Sequence, residues 1–189
     1  MSCCGRLDGD SREYLMSYYR ILEEMIQGMC SAQLSDSISS NFIVKMIPHH
    51  RAAIQMSRNV LRYTDNLSLR SIATNIITEQ TKSIENMQRI ERECRECRNS
   101  CATVRCYQDR TQNIMQAMFS EMKCACYTNR INCNFMWEMI PHHEGAVKMS
   151  NNTLHYDICP QLIPILDAII ISQKRGIAQM TQLLNCLSC

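Results

Sequence analysis

Four of the five histidines in this 189-residue chain stand in two copies of one phrase. The first runs Met46-Ile47-Pro48-His49-His50 and continues through Ala53 to Met56; the second runs Met139-Ile140-Pro141-His142-His143 and continues through Ala146 to Met149. Imidazole nitrogen and thioether sulfur are borderline and soft donors, so the set favours Cu(I) and suits Mg, Ca or Mn poorly. A thioether has no proton to lose, so such a site loses less affinity in acid than a thiolate site does.

Helices must position these donors. At about 100° per residue, Phe42, Met46, His49, His50, Ala53 and Met56 share one arc of a helix, with Lys45, Arg51, Gln55 and Arg58 opposite. The small Ala53, or Ala146, leaves room in the middle of that arc. Pro48 and Pro141 lie inside the pattern, and each is predicted to remove a backbone hydrogen bond and either kink the rod or fray a turn.

The phrases belong to a longer repeat. A shift of 93 residues superposes Tyr14 on Tyr107, Met25 on Met118, Met29 on Met122, Phe42 on Phe135 and Tyr63 on Tyr156. The match runs on through Leu69, Ile76 and Ile84 to Met87, which meets Met180. It marks an internal duplication, with copies at 10–93 and 103–187. Each copy reads as three helices. The first covers about Asp10 to Ser31, or Thr103 to Cys124; the second follows a capping Ser35 or Thr128; the third starts near Asn66 or at Pro160. The expected fold is all-α, a single domain over residues 1–189, with the second and third helices of both copies as four central rods of a bundle.

The third helices add candidates. Gln80 and Gln173 interrupt otherwise apolar stripes, and a buried amide needs partners. An imidazole N–H on the neighbouring helix is one, and such a bond would orient a metal-binding histidine. The candidate ligands are therefore Met46, His49, His50, Met56 and Met87 in the first copy and Met139, His142, His143, Met149 and Met180 in the second, with Gln80 and Gln173 behind them. Met25, Met29, Met118 and Met122 could form an outer ring. The competing reading of the same side chains is a core, because methionine fills irregular gaps and buried histidines can be purely structural.

Twenty basic and eighteen acidic residues leave a formal charge of +2, which points to neither nucleic acid nor an anionic membrane surface as partner. No apolar run reaches the roughly 18 residues a membrane span needs. The N-terminus lacks the features of a signal peptide, which sets the expectation of a cytoplasmic protein. Its thirteen cysteines would then be mostly reduced.

The Met-Ile-Pro-His-His phrase, preceded by Phe42 or Phe135 and followed by a Gln and a Met on the next helix, resembles the family called domain of unknown function 305. The likeness covers most of the chain. It implies a ferritin-like helical bundle and, for some members, copper bound through methionine and histidine. By motif that role would fall on Met46, His49, His50 and Met56 and on Met139, His142, His143 and Met149. The chain departs from the family in lacking an export signal and in its cysteine content.

Two Cys-x-x-Cys pairs, Cys94 with Cys97 and Cys186 with Cys189, offer a secondary thiol site for zinc or Cu(I). Cys3, Cys4, Cys124, Cys126, Cys133 and Cys159 offer intermolecular cross-links, so homo-oligomerisation and a cysteine-rich structural or coat-like role form the alternative to metal binding. Di-iron chemistry needs a Glu-x-x-His motif on the bundle helices, and none occurs. With no nucleophile and base pair or phosphate loop in view, no enzymatic activity is expected.

Overall fold

The computed structural model describes residues 7–125 and 127–189, and the secondary structure among them is helical throughout. The helices are α1 (Gly9–Cys30), α2 (Ile38–Val60), α3 (Leu67–Arg95), α4 (Cys101–Lys123), α5 (Ile131–Thr153) and α6 (Ile163–Cys186), with a single 3-10 turn, Pro160–Leu162, before α6. Within each half the chain packs consecutively, α1 on α2 on α3 and α4 on α5 on α6; across the halves α2 meets α5 and α3 meets α6. None of the described helices is long and apolar enough to cross a membrane.

Side-chain caps decide where helices start. Asp8, Ser37, Asn66 and Ser100 each accept a hydrogen bond from the backbone N–H three residues on, and so begin α1 to α4. Ser37 thus replaces Ser35 as the cap of α2, and α5 starts at Arg130 with no side-chain cap, so Thr128 is not its cap. Ser35 and Thr128 sit earlier in the turns, held by Asn41 and Asn134: each asparagine accepts from that residue's N–H and donates to its carbonyl. Asn66 caps as its sequence position predicts, whereas Pro160 opens the 3-10 turn and α6 itself begins at Ile163.

Both α2 and α5 run unbroken through their prolines. On α1, Gly28 lies so close to Pro48 that a Cβ there would stand 2.9 Å from the proline Cβ. Close approach of α1 is thus possible only because Gly28 has no side chain.

Positions related by the 93-residue shift behave alike where their residues match. Tyr14 and Tyr63 make an edge-on ring pair at 6.0 Å, and Tyr107 and Tyr156 make its counterpart at 5.5 Å. Where the residues differ, the halves use different solutions. Buried Lys45 donates from Nζ to the carbonyl of Met29 in the last turn of α1, at 3.0 Å. Glu138, at the matching place on α5, cannot donate. The hydroxyl of Tyr18 supplies the bond to the Met122 carbonyl instead, at 3.0 Å, and Glu138 accepts from Tyr14 at 2.5 Å.

Candidate metal centre

Helices α2 and α5 cross at the middle of the bundle with their Pro-His-His turns face to face. His49 and His142 stack there, ring centroids 3.7 Å apart and planes inclined by 29°. His50 lies 5.9 Å from His49, and His143 lies 5.9 Å from His142. The order His50, His49, His142, His143 makes a row of four imidazoles through the core, and none of them is more than 2% exposed.

Few of the ring nitrogens in the row have partners. His142 Nε2 lies 3.1 Å from the backbone carbonyl of His49. A carbonyl only accepts, so His142 carries its proton on Nε2 and its Nδ1 is a bare lone pair. That Nδ1 has no partner, and neither do the Nδ1 atoms of His50 and His143. His49 makes no hydrogen bond of good geometry at either nitrogen, although the His142 backbone lies near its ring. Burial disfavours the charged form and drives all four pKa values down, to about 3 for His50 and about 4 for His142, while His49 and His143 fall well below the usual imidazole value. The row is therefore neutral at physiological pH, with its lone pairs available.

All six candidate methionines, Met46, Met56, Met87, Met139, Met149 and Met180, lie in one core cluster and are at most 1% exposed. Met25, Met29, Met118 and Met122 belong to the same cluster, as do Met115 and Met136. Sequence reasoning passed over the last two because their counterparts are Leu22 and Ile43. The fold thus buries twelve thioethers in the one core that the crossing helices share.

Gln80 and Gln173 do not make the expected bonds to histidine. Gln80 is 1% exposed with both amide atoms unpartnered, and Gln173 leaves its Oε1 unpartnered. The imidazoles are met one turn further along the third helices. His50 Nε2 lies 3.0 Å from the hydroxyl of Ser83, while His143 abuts Gly176, the counterpart of Ser83.

The glutamines do line two clefts that flank the α3/α6 contact and follow the repeat. One holds His50, Ser83 and Ile169 and encloses about 570 Å³. The other holds His143, Gly176 and Ile76 and encloses about 10 Å³. Gln80 and Gln173 face both clefts, and an Arg175–Glu79 ion pair lies between them. The imidazole row therefore runs from the wider cleft, beside His50, to the narrow one beside His143.

The asymmetry makes Gly176 a sensitive position. A Cβ there would stand 2.8 Å from Cδ2 and 2.9 Å from Nε2 of His143. Alanine in a helix gains about 1 kcal/mol over glycine, whereas overpacking a tight core costs about 1–3 kcal/mol. The cleft beside His143 has little room to take the ring, so strain prevails. Gly176→Ala should lower stability by up to about 2 kcal/mol and shift the His143 ring resonances, read by thermal unfolding and NMR.

The thiol candidates are not gathered as expected. Cys189 is disulfide-bonded to Cys133, and Cys186 is exposed at the end of α6. Cys94, Cys97, Cys186 and Cys189 therefore do not form a four-thiolate site. Among the described residues no three His, Cys, Asp or Glu side chains are placed to hold one ion. Cys133, in its disulfide, and Cys159, 1% exposed, are likewise withdrawn from cross-linking. Cys124 is exposed, and Cys3, Cys4 and Cys126 lie outside the described residues.

Glu138 stands where the other copy has Lys45, so the repeat alone does not mark it. It is fully buried, and burial raises its pKa well above the ordinary carboxyl range, with the Tyr14 hydrogen bond a smaller, opposing influence. Ser83, Gly176 and Glu138 all stand where the two copies differ on a buried face, and that difference is the signal that could have found them.

The molecule is thus an all-α bundle whose core is built from stacked imidazoles and thioethers. The chain belongs to the family described as Domain of unknown function (DUF305), which matches residues 39–184. Among solved structures it is similar to CopM in the Ag-bound form, with 26% identity, a TM-score of 0.59, and coverage of 78% of this chain and 94% of that one. CopM in the apo form gives 26% identity and a TM-score of 0.58, covering 78% and 96%. A DUF305 fragment from Deinococcus radiodurans shares the fold at 20% identity and a TM-score of 0.58, covering 82% and 97%. No curated protein matches the chain.

Proposed function

We propose that the protein binds a soft monovalent metal ion, foremost Cu(I), on the imidazole row and the surrounding methionines, and serves as a store or buffer without catalysing a reaction. The observation that carries this reading is His49, fully buried with both ring nitrogens unpartnered. An unmet buried polar group costs about 1–3 kcal/mol, and a metal ion meets the exposed lone pair where nothing else in the core does. The donors fit: neutral imidazoles and thioethers suit Cu(I) and Ag(I), and the similar CopM is known in an Ag-bound form. Zinc fits less well, because structural zinc takes four ligands of the Cys and His type.

The test is an anaerobic Cu(I) titration against a chromophoric competitor, on protein whose accessible thiols have been alkylated in the folded state. Tight, stoichiometric binding that survives alkylation and loses an equivalent when His49 and His142 are both changed to leucine is expected. Binding that disappears with the thiols would overturn the reading.

A second reading, a structural protein joined by disulfides, draws on the exposed thiols of Cys30, Cys101, Cys106, Cys124 and Cys186. Non-reducing electrophoresis of native material decides it: covalent ladders support cross-linking, and monomers with free thiols argue against it.

A further inference from the structure

The end of α3 and the turn before α6 bring three thiols together outside the imidazole row. Cys94 is fully buried, Cys159 is 1% exposed, and Cys97 beside them is half-buried. The Cys159 thiol is a near neighbour of the Cys94 and Cys97 thiols and, after burial, helps push both their pKa values up.

The cluster is held on every side. Ser37 Oγ donates to the Cys94 carbonyl at 2.6 Å, and the Cys159 N–H donates to Ser39 Oγ at 2.9 Å. The Cys159 thiol donates to Gln161 Oε1 at 2.9 Å, and Gln161 Nε2 donates to the Glu93 carboxylate at 3.0 Å. Two buried thiols are thus anchored from α2, from α3 and from their own turn, and the partly exposed Cys97 connects them to solvent.

We propose that Cys94 and Cys159 form a second soft-metal site, in which a monovalent ion such as Cu(I) or Ag(I) is held between two thiolates after capture at Cys97. Thiolate sulfur selects soft ions, and two-coordinate geometry is one that Cu(I) and Ag(I) adopt with thiolates. Although Cys97 lies nearby, among the described residues no group of three His, Cys, Asp or Glu side chains is placed to hold one ion, so the pair suits a two-coordinate ion and not the four-ligand geometry of a structural zinc site. The step balances as one ion and two thiols giving a bis-thiolate complex of single negative charge, with two protons released to solvent and no change of oxidation state. Burial pushes the Cys94 pKa up, so that thiol stays unreactive until a metal displaces its proton.

This site shares no residue with the imidazole row, so either can fail while the other stands. The experiment uses the reduced full chain under anaerobic conditions, titrated with Ag(I). Ag(I) equivalents are counted by native mass spectrometry, and thiolate-to-metal absorption is followed in the ultraviolet. Cys159→Ser should lose one equivalent and its share of the absorption relative to wild type, whereas a variant with both His49 and His142 replaced by leucine should keep them. The exposed thiols contribute equally to both proteins, so the difference isolates the pair. Should Cys159→Ser fail to fold, the wild type still decides: Ag(I) should slow alkylation of Cys94 and Cys159, mapped by peptide mass, at least tenfold. Full stoichiometry in Cys159→Ser, or an unchanged alkylation rate in the wild type, overturns the proposal.

Discussion

Leucine in place of both His49 and His142 is expected to raise the stability of the metal-free protein while weakening Cu(I) or Ag(I) binding on the order of a hundredfold or more. The two imidazoles stack at the centre of the bundle, and three of their four ring nitrogens lack a partner. Each unmet buried group costs about 1–3 kcal/mol, and an apolar side chain of similar volume removes that cost. A gain of 1–2 kcal/mol would raise the melting temperature by about 2–8 °C in a protein of this size.

The wild type should behave in the opposite way when metal is added. A ligand at a thousandfold excess over its dissociation constant stabilises the folded state by about 4 kcal/mol. Compared in a Cys159→Ser background, which removes the thiolate pair, the double variant should keep no more than about 1.4 kcal/mol of this. Differential scanning calorimetry with and without Ag(I), on alkylated protein, measures both arms. A variant that melts lower and still gains stability from metal would mean that the histidines are ordinary core residues and that the central site is elsewhere.

Much of the bundle was legible in the residue pattern because three- and four-residue spacing and a 93-residue repeat both report buried faces. Phe42, Met46, His49, His50 and Met56 are buried as their shared arc requires. Helix caps were less legible. Ser35 and Ser37 have the same chemistry, and only the reach of the Asn41 side chain back to Ser35 decides between them. Partners across the bundle were least legible. Gln80 and Ser83 lie one turn apart on α3, and which of them meets His50 depends on the crossing of α2 and α3, not on either sequence alone. Likewise Cys159 contacts Cys94 and Cys97 through the way its turn folds back, whereas Cys-x-x-Cys spacing pointed to Cys186 and Cys189.

Metal-free protein is expected to unfold in mild acid, and the four imidazoles set the slope. Their folded pKa values lie below the unfolded value of about 6.5, so below that pH the unfolded chain binds protons that the native chain refuses. Stability conferred by the neutral row is complete above about pH 6.5 and falls as pH drops, by about 1.4 kcal/mol per pH unit for each imidazole. The loss continues until each folded value is reached, about 4 for His142 and about 3 for His50. Glu138 acts in the other sense. Its folded pKa is raised, so its contribution is complete in acid, below the ordinary carboxyl value, and is lost as pH rises toward the folded value. On acidification it offsets about one imidazole, leaving a net slope of roughly 4 kcal/mol per pH unit. Against a typical stability of about 5–15 kcal/mol, unfolding should fall between about pH 5.3 and 3. Glu138→Gln, which mimics the protonated acid, should be more stable than wild type at neutral pH and converge with it in acid, so its curve is the steeper one. The His49 and His142 leucine variant should lose about half of the histidine slope. Circular dichroism followed from pH 7 to 2 measures all three proteins, and a wild-type curve that stays flat down to about pH 2.5 would show that the imidazoles take up protons in the folded state, against the dry, neutral row on which metal binding at the centre depends.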